Sequence, residues 1–247
     1  MIWPPPSLGL VYSSLFRHYG TRIFRVSEAM ERLALGGRLR VYLHRLCGLG
    51  WAHPFRVAGR GSYRLLDPEL CILQSAGVLR PVPARRLGEY TRLVALFSQR
   101  LVEELEGLLG LVVYGSVARG SPRPNSDVDV IVVLEDRSSL RRAFDQMVDV
   151  EARPPISAEI SFLAEHGLDT HISLLPLSES QFRAHPPILL DVAEDGLVIV
   201  DRAGVEAELH RIRKRLGELG AKRVFIGEDD WYWDLIPKYS PGVEVEV

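Results

Sequence analysis

Apolar residues recur every three to four positions through the first fifty residues, then pass into alternating and continuous runs, so helices are expected first and strands later. In 7–19, Leu8, Val11, Leu15 and Phe16 lie on one helical face. A second helix follows in VSEAMERLAL, with Ser27 as its expected N-cap and Met30 and Leu33 inward. Gly36 and Gly37 interrupt the pattern before RLRVYLHRLCGLG, where Leu39, Tyr42, Leu43 and Leu46 form a stripe with Arg38, Arg40, His44 and Arg45 on the other faces. Next, Trp51, Phe55 and Val57 run to an Ala-Gly-Arg-Gly turn, and Tyr63, Leu65 and Leu66 run back. Glycines at 59 and 61 permit the positive φ that a tight hairpin needs.

A proline-rich stretch at 81–86, PVPARR, is expected to link this segment to the rest of the chain. It divides the sequence into 1–80 and 87–247. Beyond it an amphipathic helix is predicted over 88–110, followed by alternating strands and helices: LVVYG, SVARG, DVDVIVVLE, SLRRAFDQMVDVEA and THISLLPLS. Such alternation implies an α/β (α+β) layer built on a mixed sheet. Residues 178–247 read as its continuation, with Ser178 as a helix cap, Pro186 and Pro187 opening an apolar helix, and AELHRIRKRLGELGA as a basic amphipathic helix.

Charge sharpens this division. Residues 1–100 carry 15 arginines against five acidic residues, a net of +10, while residues 101–247 carry a net of −12. The basic part favours polyanions. Three helices and a hairpin, in that order, make a winged helix-turn-helix, whose third helix enters the major groove while the wing meets the backbone. Arg38, Arg40, Arg45, Arg56, Arg60 and Arg64 are then the expected contacts to DNA or RNA. The stretch from Gly48 to Leu66 resembles winged-helix modules at the head of type IV toxin–antitoxin and related regulatory proteins; winged-helix modules commonly bind as dimers, so a homodimer is one expectation. Cys47 and Cys71 sit within apolar patterns and read as buried thiols. No apolar run approaches the roughly 20 residues of a membrane span, and the first residues lack a basic region and cleavage site, so a cytoplasmic protein is expected.

The chemistry concentrates in LVVYGSVARGSPRPNSDVDVIVVLE. A short strand ends at Gly115 and Ser116, where the turn into a helix leaves backbone N–H groups and a hydroxyl free to receive phosphate. Asp127 and Asp129 follow a ten-residue spacer and open the next strand. Residues i and i+2 of a strand share a face, so the two carboxylates project side by side while Val128 and Val130 turn inward. Paired carboxylates repel unless a cation bridges them, and oxygen ligands with phosphate suit Mg²⁺.

Gly-Ser, a spacer of ten and Asp-x-Asp within a strand resemble the signature of the DNA polymerase β-like nucleotidyltransferase superfamily, especially its minimal bacterial and archaeal members. The resemblance implies transfer of a nucleoside monophosphate from a triphosphate to a hydroxyl on a protein, an RNA or a small molecule. Gly115, Ser116, Arg119 and Ser126 would hold the nucleotide's phosphates; Asp127 and Asp129 would hold two Mg²⁺ ions and carry the catalysis. Such proteins place a third carboxylate on a later strand. Alternation in DTHISLLPLS puts Asp169, His171 and Ser173 on the face opposite Thr170, Ile172 and Leu174, with Asp169 the best candidate for catalysis and metal binding. If Ser173 takes that position instead, a DNA-binding regulator or antitoxin-like protein that binds nucleotide without catalysis is the expectation. The stretches LLDVAEDGLVIVDRAG and AKRVFIGEDDWYWDLIPKYSPG resemble the tails of archaeal nucleotidyltransferase-domain proteins. Their cluster of Trp231, Tyr232 and Trp233 could stack on a base or pack at an edge.

Overall fold

The computed structural model describes residues 4–227 and 230–235. The end of the aromatic tail, 236–247, lies outside them, as do 1–3 and 228–229. Helix α1 (Pro6–Tyr19) starts on a proline, whose missing N–H costs nothing at a helix start, and buries Leu8, Val11, Tyr12, Leu15 and Tyr19. Strand β1 (Phe24–Arg25) runs straight into α2 (Val26–Arg32), so Arg25 takes the N-cap position and Ser27 lies inside the helix. Then come α3 (Arg38–Gly48), β2 (Ala52–Pro54), β3 (Ser62–Leu65) and α4 (Pro68–Ala76). The strands form an antiparallel sheet in the order β1-β3-β2. The connection from β2 to β3 turns on Gly59 (φ 105°) and Gly61 (φ 82°).

After α5 (Ala84–Leu87), helix α6 (Thr91–Glu104) ends sooner than its apolar pattern suggests, because Leu105 adopts extended backbone. Strand β4 (Leu108–Tyr114), helix α7 (Gly115–Arg119) and strand β5 (Val128–Leu134) follow. Next are α8 (Leu140–Ala152), α9 (Ile156–Glu165), β6 (Ile172–Ser178) and α10 (Glu179–Arg183), the last entered through a capping box made by Ser178 and Gln181. The apolar stretch after Pro187 divides into α11 (Ile188–Asp195) and β7 (Leu197–Asp201), a strand that the sequence pattern merges with the helix. The chain continues through α12 (Val205–Leu219) to the hairpin of β8 (Lys222–Phe225) and β9 (Trp231–Asp234).

Among the described residues the larger sheet has the order β6-β5-β4-β7, with β5 and β6 parallel and the other pairs antiparallel, the mixed sheet expected. Alternation divides its side chains between two cores. Leu111, Val113, Val128, Val130 and Ile172 join the larger one with α6, α8 and α9. Val112, Ile131 and Val133 join the smaller one beneath α10, α11 and α12. No described helix is long and apolar enough to cross a membrane.

The 81–86 stretch does not form the exposed linker that its prolines suggest. Val82 and Ala84 are buried and α5 begins within it. The Arg80 N–H donates to Ile199 O of edge strand β7 at 2.9 Å, occupying a backbone group that would otherwise face solvent. The larger core accordingly runs unbroken from Leu8 to Val200.

Arg64 departs further from its expected role. Its side chain is 3% exposed and forms a two-pronged ion pair with buried Glu159 of α9, at 2.5 and 3.0 Å. Arg64 Nε donates to Thr21 O, and the guanidinium lies 3.9 Å over the Phe162 ring. Arg92 also reaches Glu159 and pairs with Asp67. Arg64 therefore fastens the first segment to the second and is withdrawn from any nucleic acid.

His53 is fully buried in β2, and neither ring nitrogen has a well-aligned hydrogen-bond partner among the described residues. Burial, reinforced by Arg64, pushes its pKa down to about 3. The unfolded chain binds this proton more readily, so the stability that a neutral His53 secures above its ordinary pKa of about 6.5 is lost as pH falls towards 3. Within that window the slope contributed by this residue is about 1.4 kcal/mol per pH unit. Urea unfolding from about pH 7 down to about pH 4 should show a steeper loss in the wild type than in His53→Leu; equal slopes would refute the assignment.

Candidate active site

Asp127 and Asp129 lie where β4 ends and β5 begins, beside the start of β6, with Asp129 on the face carrying the smaller core. Strand β4 delivers Tyr114 opposite Asp129, and Gly115 then turns the chain into α7 at φ +73°. An ideal Cβ at residue 115 would lie 2.1 Å from Asp129 Oδ2, so only glycine lets this carboxylate lie against the turn. With five residues, α7 is too short for a substantial macrodipole. What it offers is first-turn N–H groups and the Ser116 hydroxyl.

The connection back to β5 is pinned at Ser126. Ser116 Oγ donates to Ser126 Oγ at 3.1 Å, the Arg123 N–H donates to that same oxygen at 2.8 Å, and Thr170 Oγ1 donates to Ser126 O at 2.8 Å. These bonds hold Ser116, Ser126 and the first residue of the acidic pair in one neighbourhood. Asp127 Oδ1 lies 2.9 Å from His171 Nδ1, both side chains being partly open to solvent. Asp129 is half-buried. Burial raises its pKa above the ordinary value, a hydrogen bond from Ser173 opposes the rise, and the neighbouring Asp127 adds to it. A carboxylate costly to keep charged beside a second carboxylate is a site that a cation relieves.

Parallel pairing decides which residues of β6 face the pair. Val128 is level with Ile172 and Asp129 with Ser173. Ser173 therefore meets Asp129 and His171 meets Asp127. Asp169 is not brought to the pair; it is exposed on the approach to β6, three residues before the first ladder partner. Among the described residues no three His, Cys, Asp or Glu side chains are grouped to hold a metal ion. Asp127 and Asp129 supply hard oxygen ligands of the kind that suit Mg²⁺.

Arg119, at the end of α7, stacks over Trp231 at 4.7 Å. Sequence reasoning could not connect these residues, since the link depends on folding the β8–β9 hairpin back beside α7. Trp231 and Trp233 both donate their indole N–H to Asp191 Oδ1, and Arg223 stacks on both rings. These rings are edge packing fixed by an acid and an arginine. Of the residues assigned to nucleic acid, Arg38, Arg40, Arg45, Arg56 and Arg60 are all exposed. A cavity of about 930 Å³ is lined by Arg80, Leu197, Asp201, His210 and Arg213 and contains neither member of the acidic pair. The candidate site is an open shelf.

No curated protein sequence matches the chain. Among solved structures, a toxin–antitoxin with AMP-PNP aligns at 18% identity over 49% of this chain and 84% of that one, with a TM-score of 0.32. Two structures of the toxin–antitoxin MntA–HpeT carrying substitutions align at 17% identity over 49% of this chain and 83% and 84% of theirs, with TM-scores of 0.31. Overlap this loose does not bear on function. The profile of the nucleotidyltransferase domain matches residues 96–239, from within α6 through β9 and more than half of the sequence, and the chain belongs to that family.

Proposed function

We propose that this chain is a Mg²⁺-dependent nucleotidyltransferase that moves a nucleoside monophosphate from an NTP to a hydroxyl of a protein, an RNA or a small molecule. We propose also that residues 1–80 are a winged helix-turn-helix that brings it to DNA or RNA. One observation carries the first reading: Asp127 and Asp129 share a shelf with a turn whose residue 115 has no Cβ, so that carboxylate and phosphate-binding backbone come within contact. In this reading the N–H groups at 115 and 116 and the Ser116 hydroxyl hold the triphosphate. Asp127 and Asp129 hold the metal, and Arg119, braced by Trp231, meets a phosphate oxygen. Bound Mg²⁺ would neutralise the triphosphate and assist the attacking hydroxyl. The second reading is supported by the element order of 1–80 together with the exposed arginines of α3 and the β2–β3 connection.

A different reading draws on Ser173. With a hydroxyl in place of a carboxylate opposite Asp129, the chain would bind nucleotide and regulate without transferring it. Incubation with radiolabelled NTPs and Mg²⁺, beside the Asp127→Asn/Asp129→Asn variant, separates the two. Label on protein or RNA that the double variant fails to transfer supports the enzyme. Nucleotide binding without any transfer supports the regulator.

A further inference from the structure

A second constellation of charge lies in the first segment, apart from the acidic shelf. Arg40, His44 and Cys47 follow one another along one side of α3, and across from them stand Arg56 and Arg60 of the β2–β3 connection with Ser62 and Tyr63 of β3. Arg85 of α5 closes the gap. Together they line a cavity of about 490 Å³, within the size range of small-ligand sites. Among the described residues Arg40, Arg56, Arg60 and Arg85 have no carboxylate partner, whereas Arg64, Arg80, Arg92, Arg183 and Arg223 are all paired. The acid beside the rim, Glu89, accepts the backbone N–H groups of Arg56 and Val57 at 2.5 and 3.3 Å. The charges also converge. Burial raises the pKa of the Tyr63 hydroxyl and Cys47 adds to the rise, while Arg56, Arg85 and Arg40 all oppose it.

Gathering four guanidiniums around one concavity costs repulsion that an anion removes, and forked donors match phosphate oxygens. Arg85 is the informative member, because it comes from outside the three helices and hairpin. Its Nη2 donates to His44 O at 3.1 Å, which sets it across the mouth of the cavity. Arg38 and Arg45 lie on the adjacent exposed stripe of α3 and do not line the cavity.

We propose that the cavity between α3, the β2–β3 connection and α5 is a phosphate-binding site whose ligand is a nucleotide phosphate, carried by a nucleic-acid strand or by a free nucleotide. The strand form rests on the nucleic-acid reading of residues 1–80; the free-nucleotide form does not. Arg85→Gln should fold normally, since its side chain is exposed and engages one carbonyl, and matching thermal melts verify this.

The test uses the full chain and three probes: a fluorescein-labelled single strand, a labelled duplex, and ADP without Mg²⁺ followed by calorimetry. The variants are Arg85→Gln, Arg40→Ala/Arg60→Ala, Arg38→Gln/Arg45→Gln and, for ADP, Ser116→Ala. The expected result is about tenfold weaker strand or duplex binding in each of the first two variants, with the third within about twofold of wild type. ADP binding that falls with Arg85→Gln and not with Ser116→Ala identifies the free nucleotide as the source. Strand binding lost in Arg38→Gln/Arg45→Gln but kept in Arg85→Gln and Arg40→Ala/Arg60→Ala, with ADP indifferent to Arg85, overturns the cavity and leaves the nucleic-acid reading standing. If no probe binds even at low salt, or every probe ignores all five arginines, both fall.

Discussion

Asparagine at position 129 should lower nucleotidyl transfer by about a thousandfold, equivalent to roughly 4 kcal/mol of transition-state stabilisation. The side chain keeps its shape, so the loss measures charge and metal binding rather than packing. Asp127→Asn should act in the same direction. The substitution at 129 has an opposite effect on stability that can be measured in the same protein. Burial lifts the folded pKa of Asp129 above the ordinary 3.8, so the folded state holds its proton more tightly than the unfolded state does. Stability is therefore lost as pH rises from 3.8 through the raised pKa, and the charged carboxylate weakens the metal-free fold at neutral pH. In chelator, Asp129→Asn should melt above wild type near neutral pH, and the difference should shrink as pH falls below the ordinary carboxylate range. Initial rates of label transfer at saturating NTP check the first effect, and melting curves in chelator check the second. A variant retaining a tenth or more of the activity removes Asp129 from the proposed metal site, and one melting below wild type at neutral pH refutes the stability effect.

Glu159→Gln should destabilise the protein by about 3–5 kcal/mol, the typical cost of stripping one partner from a buried ion pair. Arg64 would keep its charge at 3% exposure, with the Thr21 carbonyl, the Phe55 and Phe162 rings and a neutral amide oxygen in place of the carboxylate. Arg92 would suffer less, since Asp67 remains its partner. Replacing both members, Arg64→Met with Glu159→Leu, should restore much of the loss, because two apolar side chains leave no stranded charge. Urea unfolding of Arg64→Met, Glu159→Leu and the double variant, beside Glu159→Gln, tests this as a cycle. A single substitution costing under about 1 kcal/mol would show that the junction of β3 and α9 is not held by this pair.

Much of the fold could be read locally. The helical stripe of α1, the arginine-lined α3 and the turn at residues 59 and 61 follow from periodicity and glycine placement within a few residues. The mixed sheet followed from strands alternating with helices. Elements with no local signature were harder to read. Strand β1 is two residues long, too short to carry a pattern, and β7 merges with α11 because both are apolar and only Glu194, Asp195 and Gly196 part their apolar runs. The proline-rich 81–86 has the composition of a linker, yet Val82 and Ala84 found apolar neighbours and folded inward.

By itself the sequence determined that Asp127 and Asp129 would share a face after a Gly115–Ser116 turn. Side-chain alternation along one strand and the backbone freedom of one glycine are properties of adjacent residues. Only the tertiary structure decided what stands opposite the pair, because the register between β5 and β6 is set by packing across 44 residues of chain, and a shift of two would have exchanged Ser173 for His171 beside Asp129. The same holds for Arg64. Whether an arginine faces nucleic acid or a buried carboxylate depends on Glu159, 95 residues away, and no local pattern carries that information.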